Sequence, residues 1–396
     1  MSSMQLLTLL QHHHPLNKII PMINGFNYAH SSVVDYILKN YSLQESEYFI
    51  LELCIHNCMF IKQVMQYLCF DLKKSNNIDT ILKLIAVCPA SVQFFKVGLY
   101  HSMTLDELKL YVDQIIQIES LSKYILEEIM TFTVELDHMW QQSEKDCSSS
   151  SDDDEINDPD VSMEEGFTQV MKSPITDKLN FLLSVLLNKM KQNPTDLWIH
   201  LFAKCILPTQ SHAVNCLYVW YTSNTDHKDE FLGLLGNEWL NGANVLIKTR
   251  AIWYLCGFLI RVDLHSDFVK HAFTLMIDYL ECKNKDLIWF ATIQSAMYLY
   301  CFHYAVLPVD LTIRLISLMK NGGALALTSP LIVNQFCRIV EEEQLWFAKL
   351  TLKRQLRSVN EYERESVKML WTWFPLDPVE LPIFKSVELY YKSFQQ

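Results

Sequence analysis

Five serines stand three residues ahead of a carboxylate within one stretch: Ser143 before Asp146, Ser149 before Asp152, Ser150 before Asp153, Ser151 before Asp154 and Ser162 before Glu165. A kinase with a basic pocket reads downstream negative charge at that spacing, and each phosphate it adds brings about −1.5 to −2 units of charge. The chemistry on offer is acceptance of a phosphoryl group, and these five are the candidate phosphorylation sites. A plain solvated linker would read the same way. The second constellation is basic. Lys349, Lys353 and Arg357 recur four residues apart with Arg354 beside them, so one helix face can present them to an acidic partner or to phosphates. A solvated face whose cations complement a helix C-terminus has the same pattern. These four are the candidate partner-contact residues.

Other chemistry is missing from the pattern. The one glycine pair, Gly322-Gly323, has no following Lys-Ser/Thr to cradle a phosphate, and no G-x-S-x-G, H-E-x-x-H or C-x-x-C occurs. Cys54 and Cys58 share a helical face, but His56 falls off it, and the three read as core packing rather than as ligands. His12, His13 and His14 are adjacent rather than at helical spacing and read as a solvated stretch before Pro15. No catalytic residue, metal or cofactor is expected, and the chain reads as a non-enzyme.

The elements that must position these residues are helices. Half of the 396 residues are apolar, glycines number only 9 and prolines 12, and the apolar runs carry little turn punctuation, which disfavours a strand-rich fold. The interruption is Ser143–Glu165, where ten carboxylates against Lys145 account for −9 of the net charge of −12. Such a segment cannot bury enough apolar surface to offset the entropy of ordering it, so an acidic, disordered loop is expected there. The remainder is near neutral and lacks the basic footprint of strong nonspecific nucleic-acid binding; a protein partner is expected, with DNA contact weak or indirect.

The expected organisation is residues 1–142 as N-terminal helical repeats, 143–165 as the loop and 166–396 as C-terminal repeats of one continuous solenoid. Before the loop the pattern predicts helices over Glu45–Leu72, Asp79–Val87, Ser91–Tyr100, Leu105–Ile118 and Ser120–Trp140. After it, helices are predicted over Thr176–Gln192, Thr195–Cys205, Ser211–Ser223, Lys228–Leu240, Ala243–Val262, Ser266–Glu281, Asp286–Tyr304, Val309–Lys320, Pro330–Leu356 and Val359–Phe374. Short connections force successive helices into antiparallel pairs, and pairs recurring at roughly forty residues indicate a HEAT-type α-solenoid. Trp198, Tyr218, Trp220, Trp253 and Tyr254 fall in apolar stripes and are expected in the core. The eleven cysteines are odd in number and lie mostly in such stripes, as reduced core residues do. The N-terminal residues lack the charge and apolar length of a secretory signal, and the most apolar run, Ala251–Ile260, is about half what a bilayer needs. A soluble, intracellular protein is expected, with no membrane partner.

From Thr176 onward the chain resembles the RNA polymerase I-specific transcription initiation factors. Carrying the resemblance are Asp177-Lys178-Leu179, then Ile206-Leu207-Pro208-Thr209, which matches the family's "ILPT" at a helix opening. Tyr254, Phe258, Leu259 and Arg261 match a Y-x-x-x-F-L-x-R run, and Gln294, Tyr298 and Phe302 match its next helix. Pro330, Val333, Asn334 and Phe336 keep P-x-x-V-N-x-F, followed at family spacing by Gln344, Leu345, Phe347 and Arg354. Phe374-Pro375-Leu376-Asp377-Pro378 resembles "FPFDP", with Leu376 substituted. Ahead of the loop, Val134-Glu135-Leu136 resembles the "LDVEI" helix end, with Thr133 where Asp is expected.

The resemblance implies a HEAT-repeat transcription factor of the nucleus and nucleolus. Such a factor would bind RNA polymerase I near its stalk, bridge it to promoter-bound core factor and form a homodimer when free. Phosphorylation would regulate it, and the family's acidic insertion would fall at Ser143–Glu165. It also implies a polymerase-contacting serine surface in the N-terminal half, the region of Ser91, Ser102, Ser120 and Ser122. A generic α-solenoid scaffold or nuclear-transport adaptor is the alternative that solenoid physics alone permits.

Overall fold

The computed structural model describes residues 3–11, 16, 19–70, 75–148, 174–319, 324–343, 375–376, 379 and 381–390. Among them the protein is all-α, with no strand. The chain divides into two compact units, Met1–Phe132 and Thr133–Gln396.

The first unit holds α1 (Ser3–Gln11), α2 (Ser31–Asn40), α3 (Leu43–His56), α4 (Ile61–Phe70), α5 (Ser75–Val87), α6 (Leu105–Ile115) and the opening turns of α7 (Ser122–Ser148). The helix predicted over Glu45–Leu72 is two helices. Asn57 leaves helical geometry at φ −138°, ψ 81°, and its Nδ2 donates to the carbonyl of Ile23 at 2.6 Å. An Asn side chain that can satisfy a distant backbone group competes with the helix it interrupts. Nor is Ser91–Tyr100 an α-helix. Pro89–Phe94 is a 3-10 turn and the chain then runs extended. Gly98 takes φ +70°, a left-handed conformation that glycine adopts without a Cβ penalty, and the Tyr111 hydroxyl donates to the carbonyl of Val97 beside it.

Two helices of this unit begin with reciprocal capping boxes. At α6, Thr104 Oγ1 accepts from the Glu107 N–H at 3.3 Å, while the Glu107 carboxylate accepts from the Thr104 N–H at 2.8 Å. Ser42 and Glu45 repeat the arrangement at α3. Each box satisfies two of the orphan donors of a helix start. Thr104→Ala is expected to lower the stability of the first unit by about 1 kcal/mol in urea titration; a loss within error would show that solvent replaces the cap.

The second unit continues from α7 with α8 (Pro174–Gln192), α9 (Leu197–Leu201), α10 (Cys216–Asn224), α11 (Lys228–Asn241), α12 (Val245–Arg261), α13 (Ser266–Cys282), α14 (Leu287–His303), α15 (Val309–Met319), α16 (Ala324–Leu327) and α17 (Pro330–Glu342). A π-helical turn, Phe202–Ile206, extends α9. The layering of the helices is visible in how they bury themselves. α13 buries one stripe, Val269, Phe273, Met276, Ile277 and Leu280, whereas α12 is buried continuously from Ala251 to Arg261. α12 packs against α11 and α14, and α14 against α12, α13 and α17. Helices apolar on all sides must be covered on all sides, so α12 and α14 form the inner layer while α11 and α13 keep one face in water. The Ala251–Ile260 run is thus core, and no described helix is long and apolar enough to cross a membrane.

Trp198, Tyr218, Trp220, Trp253 and Tyr254 are all buried, as expected. α17 is described to Glu342 and Glu343 follows it; the remainder of the helix predicted to Leu356, and that over Val359–Phe374, lie outside the described residues.

Candidate interaction surfaces

Of the residues singled out for chemistry, Ser143 alone is described. It lies on α7, half-buried, and its Oγ donates to the carbonyl of Trp140 at 2.7 Å. α7 runs on to Ser148, so residues 143–148 are helical where their polarity predicted loop. A helix already nucleated by a buried face extends cheaply into polar sequence. Ser149, Ser150, Ser151, Ser162, Lys349, Lys353, Arg354 and Arg357 lie outside the described residues, as do His12, His13 and His14. Among the N-terminal serines, Ser91 is fully buried and no surface residue, Ser102 and Ser120 are exposed, and Ser122 is half-buried. Ser42 and Thr104 also precede an acid by three residues, and there the spacing serves the capping boxes.

Cys54, His56 and Cys58 do not converge: Cys54 is buried, Cys58 exposed, and His56 Nε2 lies 3.2 Å from Glu52. Burial pushes the thiols of Cys54 and Cys256 up to about 12 and that of Cys69 up to about 11. Thiols so protonated are poor nucleophiles and ligands. Among the described residues no three His, Cys, Asp or Glu side chains cluster as a metal site would require.

The motif residues meet in the interior of the second unit. Phe202, on the π-turn before Leu207-Pro208, is ringed edge-on by Tyr218, Phe231, Tyr254 and Phe258 at centroid distances of 4.9, 4.8, 5.0 and 6.4 Å. Arg261 stacks on Phe302 at 5.1 Å, and its Nη2 reaches the Tyr298 hydroxyl at 3.5 Å. Gln294 Oε1 accepts from the Ser329 N–H at 3.0 Å, just ahead of Pro330, where α17 begins. Val333 and Phe336 on α17 are buried. Pro375 and Leu376 lie against Gly257 in the middle of α12. These positions hold the fold together.

The Ile206-Leu207-Pro208-Thr209 stretch closes the π-turn and leads into a buried loop rather than opening a helix; α10 starts at Cys216, not near Ser211. Asp137 on α7 explains the delay. Fully buried, its Oδ2 accepts from the N–H groups of His212, Ala213 and Val214 at 2.9, 3.0 and 3.2 Å, and its Oδ1 accepts from Gln141 Nε2 at 3.0 Å. Arg250 donates to the carbonyl of Pro208 at the start of the same loop. The carboxylate thus anchors a loop 75 residues away along the chain. Sequence reasoning missed Asp137; the readable signal is its register, since of the four acids between Ile125 and Trp140 it is the one that shares a helix face with Met130, Thr133 and Trp140, and a buried charge must be partnered.

Apolar side chains also face solvent, as partner surfaces do. In the first unit Tyr48, Ile55 and Met59 follow one another along the outer side of α3 and its 3-10 continuation. In the second unit Leu240, Val245 and Leu246 flank the turn between α11 and α12, and Val309 and Ile313 lie one turn apart on α15.

The family model of the RNA polymerase I specific transcription initiation factor RRN3 matches residues 10–396. The fold is similar to that in the crystal structure of RNA polymerase I transcription initiation factor Rrn3, at a TM-score of 0.60 and 16% identity, covering 100% of this chain and 90% of that one. No curated protein sequence matches significantly.

Proposed function

Because the chain belongs to the RRN3 family of RNA polymerase I specific transcription initiation factors, we propose that it docks on the polymerase near its stalk and bridges it to promoter-bound core factor at ribosomal RNA genes. As a member of that family it is a non-catalytic initiation factor of the nucleus, and the nucleolus is where the proposed promoter contact would hold it. The observation that carries the reading is the family match over nearly the whole chain. Supporting it, the motif residues are consumed in packing, so binding falls to the surface. Solenoid helices keep long outer faces free for large partners, and the exposed apolar residues on α3, α11, α12 and α15 give such faces something to bind with.

We further propose the organisation read from the sequence, two helical blocks around an acidic, disordered segment and a homodimer in the free state. Phosphate added at Ser149, Ser150, Ser151 or Ser162, or at the half-buried Ser143 of α7, would change docking through local charge. Lys349, Lys353, Arg354 and Arg357 would meet an acidic surface of the polymerase or core factor. Direct contact with DNA would be weak.

Affinity purification of the tagged protein from growing cells at moderate salt, followed by mass spectrometry, tests the main reading. Polymerase I subunits, the stalk subunits included, are expected among the captured proteins. Capture of transport receptors or their cargo without polymerase would sink it in favour of a solenoid adaptor. Replacing Ser149, Ser150 and Ser151 together by Ala is expected to leave Tm unchanged while abolishing the phosphatase-sensitive part of polymerase capture. A large fall in Tm would show that the stretch is packed rather than solvated.

A further inference from the structure

α12 carries a glycine, Gly257, inside its continuously buried stretch Ala251–Arg261, where alanine would serve the helix better. A Cβ built there would lie 2.8 Å from the backbone oxygen of Pro375 and 3.3 Å from Leu376 Cδ1. The first of these is a backbone atom with no freedom to swing aside, so the glycine cuts a notch into which the Pro375–Leu376 turn is seated. Leu376 is itself unusual. It is the one non-glycine residue among those described with positive φ, at +70°, and it is buried to 1% exposure. A left-handed leucine is disfavoured wherever the surroundings do not enforce it. The seat is also incompletely filled: a cavity of about 10 Å³, lined by Trp253, Cys256, Gln294, Ser295 and Tyr298, remains under Pro375, and the buried Oγ of Ser295 has no hydrogen-bond partner.

Beyond the turn, the described residues 381–390 form only 3-10 turns, Pro382–Ser386 and Glu388–Tyr390. A second hook holds them, the Ile383 N–H donating to Asn180 Oδ1 of α8 at 2.8 Å. Leu381, Ile383 and Val387 are buried. The C-terminal stretch therefore reaches from the α12–α14 notch to α8 by two local anchors and side-chain burial.

We infer that the Pro375–Leu376 turn is a releasable latch: it snaps into the Gly257 notch under local backbone strain, and its release uncovers an apolar seat at Trp253 and Tyr298 without unfolding α12 or α14. The docked and lifted states differ in Leu376 burial on one side and left-handed strain on the other, the balance that makes an element two-state.

Hydrogen exchange of the full chain, wild type against Gly257→Val, tests the latch. The Leu376 amide is expected to exchange at least about tenfold faster in the variant while α12 and α14 stay within about twofold of wild type. Equal acceleration in α12 and α14 would show the turn to be part of the core, and unchanged exchange at Leu376 would show that the notch does not hold the turn; either overturns the inference. Should the variant not fold, wild type decides. Openings at Leu376 that are roughly a hundredfold more frequent than those of α12 support the latch, and one shared opening for both overturns it.

Discussion

Phe202→Ala is expected to destabilise the second unit by about 3–5 kcal/mol. The ring is fully buried at the centre of four others, Tyr218, Phe231, Tyr254 and Phe258, which arrive from α10, α11 and α12. Its loss removes both buried apolar area and the edge-on contacts, which contribute roughly 0.5–1.5 kcal/mol per pair beyond area. Two of the surrounding rings are held at their hydroxyls and cannot collapse into the gap: the Tyr218 hydroxyl donates to the carbonyl of Trp198 at 2.8 Å and the Tyr254 hydroxyl lies 3.4 Å from Ser211 Oγ. In a thermal melt the transition of this unit should fall by roughly 10 °C, at about 2–4 °C per kcal/mol for a domain of that size. A loss under about 1 kcal/mol, the size of an ordinary surface change, would mean that the cluster repacks.

Asp137→Ala should cost about 3 kcal/mol or more, because each stranded buried donor costs roughly 1–3 kcal/mol. The Oδ2 atom serves three amides of one loop, His212, Ala213 and Val214, of which the last two residues are fully buried. Asp137→Asn separates charge from shape. It keeps an acceptor oxygen aimed at the amides, but neutral bonds are roughly half as strong as charge-assisted ones, so an intermediate loss is expected. Urea titration of both variants checks the order. If Asn is as harmful as Ala, the anion rather than the hydrogen-bond geometry holds the loop; if neither is harmful, water reaches the amides.

The contrast between Asp137 and the serine tract separates what was legible from what was not. Helix type and the extent of α8, α11, α12, α13, α14 and α15 follow from local apolar periodicity and came within a few residues of the structure. The failures share a cause. Asn57 ends α3 because of a bond to Ile23, and α10 starts late because Asp137 holds the preceding amides. Ser42 and Thr104 show why the candidate sites were harder still: one spacing, Ser/Thr-x-x-Glu, serves a helix cap or a kinase, and the choice depends on whether the carboxylate turns back to the backbone.

The sequence by itself determined the helical class, the buried aromatic positions and, through its ordered motifs, the family. These are set by local periodicity or by residue identity alone. Only the tertiary structure decided what the motif residues do. Gly257 and Arg261 on α12, Gln294 on α14 and Leu376 in the C-terminal turn come from three segments distant in sequence, and their roles as notch, cation on a ring, cap and strained plug exist only once α12, α14, α17 and that turn are packed together. Long-range partners of this kind leave no local trace, because the physics that selects them is steric fit and the pairing of buried polar groups across distant segments.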